Sequence, residues 1–190
     1  MGSKLSQFIF NLFGWRVEVE TNDFPPKYIV VVLPHTSNWD FPKGILSRKI
    51  IGQDIKFIAK NSLFKGPLGF IMRALGGYPV DRSKHGNFVD AVVALFNSKE
   101  KFIITITPEG TRKKVDELKT GFYYIAKGAN IPVVLCKFDY ENKVIHFGKP
   151  RFVKNTVEEE IEYIGDYFKQ VKGKIPAFGY LYNDRQKSNK

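Results

Sequence analysis

Cysteine is almost absent from this chain. Cys136 is the one thiol among 190 residues, so an intrachain disulfide framework is excluded. It sits in the apolar run IPVVLCKF, which favours a buried, inert thiol over a reactive one with a base beside it. Histidine is scarce too. His85 and His146 are isolated, and no second ligand stands at metal-binding spacing, so no metal site is expected. Long apolar runs are missing as well. A membrane-spanning helix needs about 18 apolar residues, whereas YIVVVLP and IPVVLC are strand-sized. No basic segment leads into a long apolar stretch with a small-residue cleavage site, so no signal peptide is expected and the chain reads as a cytoplasmic-side protein. A G-x-S-x-G elbow is also lacking, which leaves Ser37 as a turn residue rather than a nucleophile.

What is present is positive charge. Lys and Arg number 30 against 19 Asp and Glu, a formal net charge of +11. Such an excess attracts an anionic partner: nucleic acid, an anionic bilayer or a phosphorylated substrate. Charge alone does not choose among them. Hydrophobic residues at 43% and charged ones at 26% place the chain among folded globular proteins rather than disordered ones. Its length suits a single domain over 1–190.

Periodicity organises the chain. Leu5, Phe8, Ile9, Leu12 and Phe13 recur at helical spacing with Gly14 as a stop. A helix packed on its own domain and a membrane-surface helix over residues 1–16 both fit that pattern; Lys4, Arg16 and the overall charge favour the bilayer interface. Strands are expected at 28–33, 55–59, 78–80, 101–107, 131–138 and 143–147, the last pairing across the turn-like YENK. Helices are expected at 41–51, 67–75, 87–96, 121–127 and 156–171, with Asp40 capping the first and Asn155 or Thr156 opening the last. This alternation predicts an α/β fold with a largely parallel central sheet flanked by helices. Residues 183–190 read as a frayed basic tail. The dense apolar stretch from Leu63 to Leu75 reads first as core; the sharper reading is a groove for a hydrocarbon chain or a membrane contact.

Two short motifs carry chemistry. In HTSNWD, at 35–40, His35 follows a strand end and Asp40 starts a helix. A turn that folds Asp40 back would let its carboxylate accept from one ring nitrogen and leave the other as a base. Alone, His35 reads as a surface-loop histidine; PEGTR downstream at 108–112 changes the balance. Arg82, closing GGYPVDR, and Arg112, closing PEGTR, follow strands and so sit on loops at strand ends. Two guanidiniums suit bidentate phosphate binding, although surface arginines often just pair with acids such as Asp81 or Glu109. Lys119 offers a third positive charge, Gly110 permits close backbone approach, and Glu109 holds either an arginine or the hydroxyl region of a substrate.

The succession HTSNWD, GGYPVDR, PEGTR and IPVV resembles the four-block signature of the glycerolipid acyltransferases, across residues 35–134, and AKNSLFKGPLGFIMRALGG between the blocks resembles it too. The resemblance implies transfer of a fatty acyl group from acyl-CoA or acyl-carrier protein to a lysophospholipid hydroxyl, chiefly that of 1-acyl-sn-glycerol-3-phosphate. It implies His35 as general base and Asp40 as its orienting partner. It implies Arg82, Arg112 and Lys119 at the acceptor phosphate, with Glu109, Gly110 and Thr111 positioning substrate. No cofactor is implied beyond the acyl-CoA or acyl-ACP co-substrate. The implied partners are these substrates and an anionic membrane surface, without nucleic acid, at the inner face of the cell membrane. Two departures, the short stretch before His35 and Tyr78-Pro79-Val80 in the second block, leave another lyso-lipid acceptor open. The rival readings are a non-catalytic basic module for lipid or nucleic acid and a hydrolase using the same His/Asp pair.

Overall fold

The computed structural model describes residues 2–80 and 88–180. After helix α1 (Gly2–Leu12) come strands β1 (Arg16–Val19) and β2 (Lys27–Leu33), helix α2 (Asp40–Ile50) and strand β3 (Ile55–Lys60). A 3₁₀ turn (Asn61–Phe64) leads into α3 (Gly66–Ala74), β4 (Gly77–Val80), α4 (Phe88–Asn97) and β5 (Phe102–Ile106). The chain continues through α5 (Gly121–Gly128), β6 (Val133–Asp139), β7 (Val144–Phe147) and α6 (Val157–Phe168), with a last 3₁₀ turn at Pro176–Phe178.

The seven strands form one sheet in the order β1-β7-β6-β2-β5-β3-β4. Strands β2 to β6 run parallel, β7 is antiparallel to β6, and β1 runs parallel to β7. The fold is therefore α/β with a mostly parallel sheet. β2 lies at its centre, covered on both faces, which is why Tyr28 to Leu33 is apolar without alternation and buried throughout. Successive side chains still point to opposite faces. Ile29, Val31 and Leu33 join Phe122 and Ile125 of α5, Phe96 of α4 and Phe168 of α6 in one core. Tyr28, Val30 and Val32 join Phe10 of α1, Trp15, Phe138 and Phe147 in the other, against which Leu46 and Ile50 of α2 pack.

Most expected elements fall within two residues of these bounds, and two local findings differ from the reading. β1 went unseen: Val17 and Val19 alternate with Arg16 and Glu18, but a run of four residues on a largely exposed edge is too short to stand out. The long last helix ends at Phe168, three residues short of expectation. Its start is Thr156, whose hydroxyl accepts from Glu159 N–H while the Glu159 carboxylate accepts from Thr156 N–H, a reciprocal cap. Residues 183–190, expected to fray, together with Asp81, Arg82 and His85, lie outside the described residues.

Candidate active site

The connections leaving β2 and β5 diverge. β2 feeds α2, on the face lined by Tyr28, Val30 and Val32, and the chain moves to β3. β5 feeds α5, on the opposite face, and the chain moves the other way to β6. β2 and β5 are parallel neighbours, with Val31 opposite Ile106. Their outgoing loops therefore part over a crevice at the carboxyl edge, where open α/β sheets bind ligands. HTSNWD is the loop after β2 and PEGTR the loop after β5.

Within the first loop, His35 Nδ1 lies 2.9 Å from Asp40 Oδ2. The same oxygen accepts from the backbone N–H of Thr36 at 3.0 Å and of Ser37 at 2.9 Å. The other, Oδ1, accepts from the Tyr140 hydroxyl at 2.5 Å. Asp40 thus begins α2 but does not cap it: Trp39 occupies the cap position and its side chain makes no capping bond. The expected cap is corrected by geometry, since a carboxylate folded back into its own loop faces away from the helix amides. Because the carboxylate accepts, the neutral form of the ring has its proton on Nδ1 and its lone pair on Nε2.

PEGTR meets this loop through Glu109. Its Oε2 accepts from the His35 backbone N–H, and its Oε1 accepts from Tyr180 N–H at 3.2 Å. Glu109 is 1% exposed. Burial pushes its carboxyl upward from the usual range, and the two amide bonds pull it back. The residue pins the histidine loop to the loop after β5 and to the end of the last turn. Gly110 follows with φ +64, a left-handed conformation that glycine tolerates, and a Cβ there would sit 2.7 Å from Lys119 Nζ. Lys119 accordingly lies across Gly110, its own N–H donating to the Pro108 carbonyl at 2.8 Å. Thr111 is exposed, with its hydroxyl accepting from Lys113 N–H at 3.3 Å. Arg112 is exposed and lines the same cavity as His35 and Asp40.

That cavity holds about 340 Å³ and runs between α2 and the sheet. His35, Asp40, Thr107 and Arg112 are its polar lining on the loop side; Val30, Val32, Phe57, Cys136, Phe138 and Phe147 line it deeper. α2 lines it with Phe41, Gly44, Ile45 and Ser47, and with Arg48, which donates to the Ile55 and Leu75 carbonyls. Cys136 is wholly buried here, which pushes its thiol well up and leaves it a wall rather than a nucleophile. Among the described side chains of the stretch from Leu63 to Leu75, none lines this space. Phe64 of that stretch is buried, while Phe70 and Ile71 point outward. Among the described residues no cluster of three or more His, Cys, Asp or Glu is placed to hold a metal ion.

A family model described as Acyltransferase matches residues 16–138. The chain belongs to the acyltransferase family. The fold agrees: this acyltransferase superposes on the crystal structure of PlsC, the 1-acyl-sn-glycerophosphate (LPA) acyltransferase from Thermotoga maritima. The TM-score is 0.56 at 23% identity, covering 87% of this chain and 74% of that one. Among curated protein sequences nothing matches.

Sequence reasoning missed one residue that meets the candidate site. Tyr140 lies 100 residues from Asp40 along the chain, in a turn that reads only as a turn. No local signal could have paired them.

Proposed function

We propose that this acyltransferase moves a fatty acyl group from a thioester donor, acyl-CoA or acyl-carrier protein, to the free hydroxyl of a lysophospholipid, with 1-acyl-sn-glycerol-3-phosphate as the preferred acceptor. The observation that carries the reading is the His35–Asp40 pair at 2.9 Å on the wall of an apolar cavity that also reaches Arg112. An imidazole base, a hydrocarbon-sized space and a guanidinium together suit an amphiphile with an anionic head.

In this reading His35 Nε2 takes the acceptor hydroxyl proton as that oxygen attacks the thioester carbonyl carbon. The tetrahedral intermediate then expels the thiolate, which takes the proton back from the imidazolium. Asp40 orients the ring and stabilises the imidazolium formed between the two steps. A thioester is already activated, so a covalent acyl-enzyme is not required. Arg112, with Lys119 and Arg82, holds the acceptor phosphate so that the hydroxyl meets the base, which lowers the entropic part of the barrier. Gly110 and Thr111 shape the loop that carries Arg112.

Membrane attachment is part of the same reading. α1 turns Phe10 and Ser6 inward, half-buries Ile9 and leaves Leu5, Phe8 and Leu12 exposed, as is Phe13 just beyond it. Such an apolar face on a chain of net charge +11 suits reversible binding to an anionic bilayer surface. Among the described residues no helix is long and apolar enough to cross a membrane.

The deciding assay follows free thiol released from acyl-CoA and from acyl-carrier protein, with and without 1-acyl-sn-glycerol-3-phosphate. Release only with acceptor, together with a diacyl product, is the expected result. Release without acceptor would make the protein a hydrolase, and no release with any lyso-lipid would leave a binding module.

A further inference from the structure

We infer that Tyr140 is a positioning residue for acyl transfer, locking the Asp40 carboxylate so that His35 presents Nε2 to the acceptor hydroxyl. The inference rests on the proposed reaction for its kinetic consequence, but its geometry stands apart from the substrate.

The two oxygens of Asp40 do unequal work. Oδ2 receives three donors, His35 Nδ1 and the Thr36 and Ser37 amides, while Oδ1 receives the Tyr140 hydroxyl at 2.5 Å. Asp40 is only 3% exposed, so solvent is poorly placed to replace a missing donor. Without the phenol, one buried carboxylate oxygen would be left under-bonded, an expensive condition for a charged group. The carboxylate could relieve it by turning about its Cβ–Cγ bond, and any such turn moves Oδ2 away from Nδ1. The ring orientation, and with it the aim of Nε2, would loosen.

Tyr140 is itself held from three directions. Its backbone N–H donates to the Lys172 carbonyl at 2.8 Å. The rings of Trp15 and Tyr140 pack edge to face with centroids 4.8 Å apart. Lys43 Nζ stands 5.1 Å from the centre of the Tyr140 ring and 4.6 Å from that of Trp15. A ring so fixed has little freedom to aim its hydroxyl elsewhere. Burial first, then the bond to Asp40 and the Asp40 charge, push the phenol far above its ordinary range, so it remains a donor. The arrangement extends the His–Asp pair to a third member, supplied from the turn after β6 rather than from either motif loop.

The test is Tyr140→Phe, which keeps the ring and removes only the donor. The expected result is a drop in kcat of about ten- to a hundredfold, with KM for donor and acceptor within about twofold of the parent. The His35 ring-nitrogen resonances should shift in long-range proton–nitrogen spectra recorded without substrate. A purely structural role would lower the melting temperature yet leave kcat and these resonances unchanged, and that outcome overturns the proposal, as does a defect confined to KM. If Tyr140→Phe does not fold, the ¹³Cζ resonance of Tyr140 in labelled parent protein is compared with that in Asp40→Asn. Movement of that resonance supports the bond, and its absence removes it. If the parent protein transfers no acyl group at all while the resonances shift, the proposed reaction fails and the hydrogen-bond chain survives.

Discussion

The two faces of the sheet are built from the same strands and finished differently. On the face of α4, α5 and α6, residues such as Phe96, Phe122, Ile125, Ile164 and Phe168 fill the space against Ile29, Val31 and Ile104. On the face of α1 and α2, the helix nearest the carboxyl edge presents Gly44 and Ser47, and a cavity of about 340 Å³ remains. Dense packing stabilises; a gap of that size forgoes dispersion contacts and burial, and persists where a ligand uses it. One face holds the fold and the other carries the proposed chemistry. Substitutions on them should therefore separate stability from activity.

The largest separation is expected at the base. His35→Ala should lower turnover by about two to four orders of magnitude, with an unchanged circular-dichroism spectrum and melting temperature. Asp40→Asn should be comparably severe. A folded His35→Ala protein with near-normal turnover would end the division of labour at its clearest point.

On the opposite face the pattern should invert. Phe122 is fully buried against β2 and α4, and Phe122→Ala should cost about 3–5 kcal/mol in denaturant unfolding. Turnover per folded molecule should stay near the parent value at low temperature. A large catalytic defect in the folded fraction would show that the packed face also shapes the site.

Filling the cavity tests whether it is used. A Cβ on Gly44 would lie 3.7 Å from Phe138 Cζ, an ordinary contact, so a side chain can enter there. Gly44→Leu should reduce turnover with a long-chain acyl substrate by roughly tenfold or more and spare a short-chain one. Unfolding free energy should hold or rise by up to about 1 kcal/mol, since glycine is poor in helix interiors. Equal loss for both chain lengths would place the hydrocarbon elsewhere.

The head-group side should respond in KM. Arg112→Ala is expected to raise the acceptor's KM about tenfold with a smaller change for the donor, and Arg112→Lys to restore part of it, because an ammonium lacks the planar fork. A defect limited to the donor would move this arginine to the donor's phosphates.

The smallest effect on the fold is expected at α1. Phe8 and Leu12 are exposed, so Phe8→Ser with Leu12→Ser should change stability by no more than about 0.5 kcal/mol. Co-sedimentation with anionic vesicles should fall in that variant, and fall for the parent with added salt. Normal vesicle binding with a lowered melting temperature would assign those side chains to the core.

How far the sequence could be read differs by element. β2, β5, β6 and the helices between them announce themselves because burial on two faces forces continuous apolar runs, and one-sided burial forces helical spacing. The close range of His35 and Asp40 is likewise legible, as five residues of loop leave little room to part. The same spacing misled on the cap, because it cannot say which amides a carboxylate chooses. Glu109 was legible as a site residue but its partner was not: it grips the His35 and Tyr180 backbone, reached only after folding.

The amino-acid order by itself determined the local inventory: the strands, the helices, the HTSNWD turn, the PEGTR loop and the positive charge. Each of these depends on neighbours within a few residues, where propensity and periodicity act. The order of strands belongs to the tertiary structure, because a period of two tells a side chain which face to take but not which strand to lie beside. Only the pairing of β2 with β5 brings the two motif loops to one edge. Only the return of β6 beside β2 carries Tyr140 to Asp40. The cavity is likewise a product of assembly, since Gly44, Val32 and Phe138 are unremarkable alone and bound an open space only when α2 is laid across the sheet.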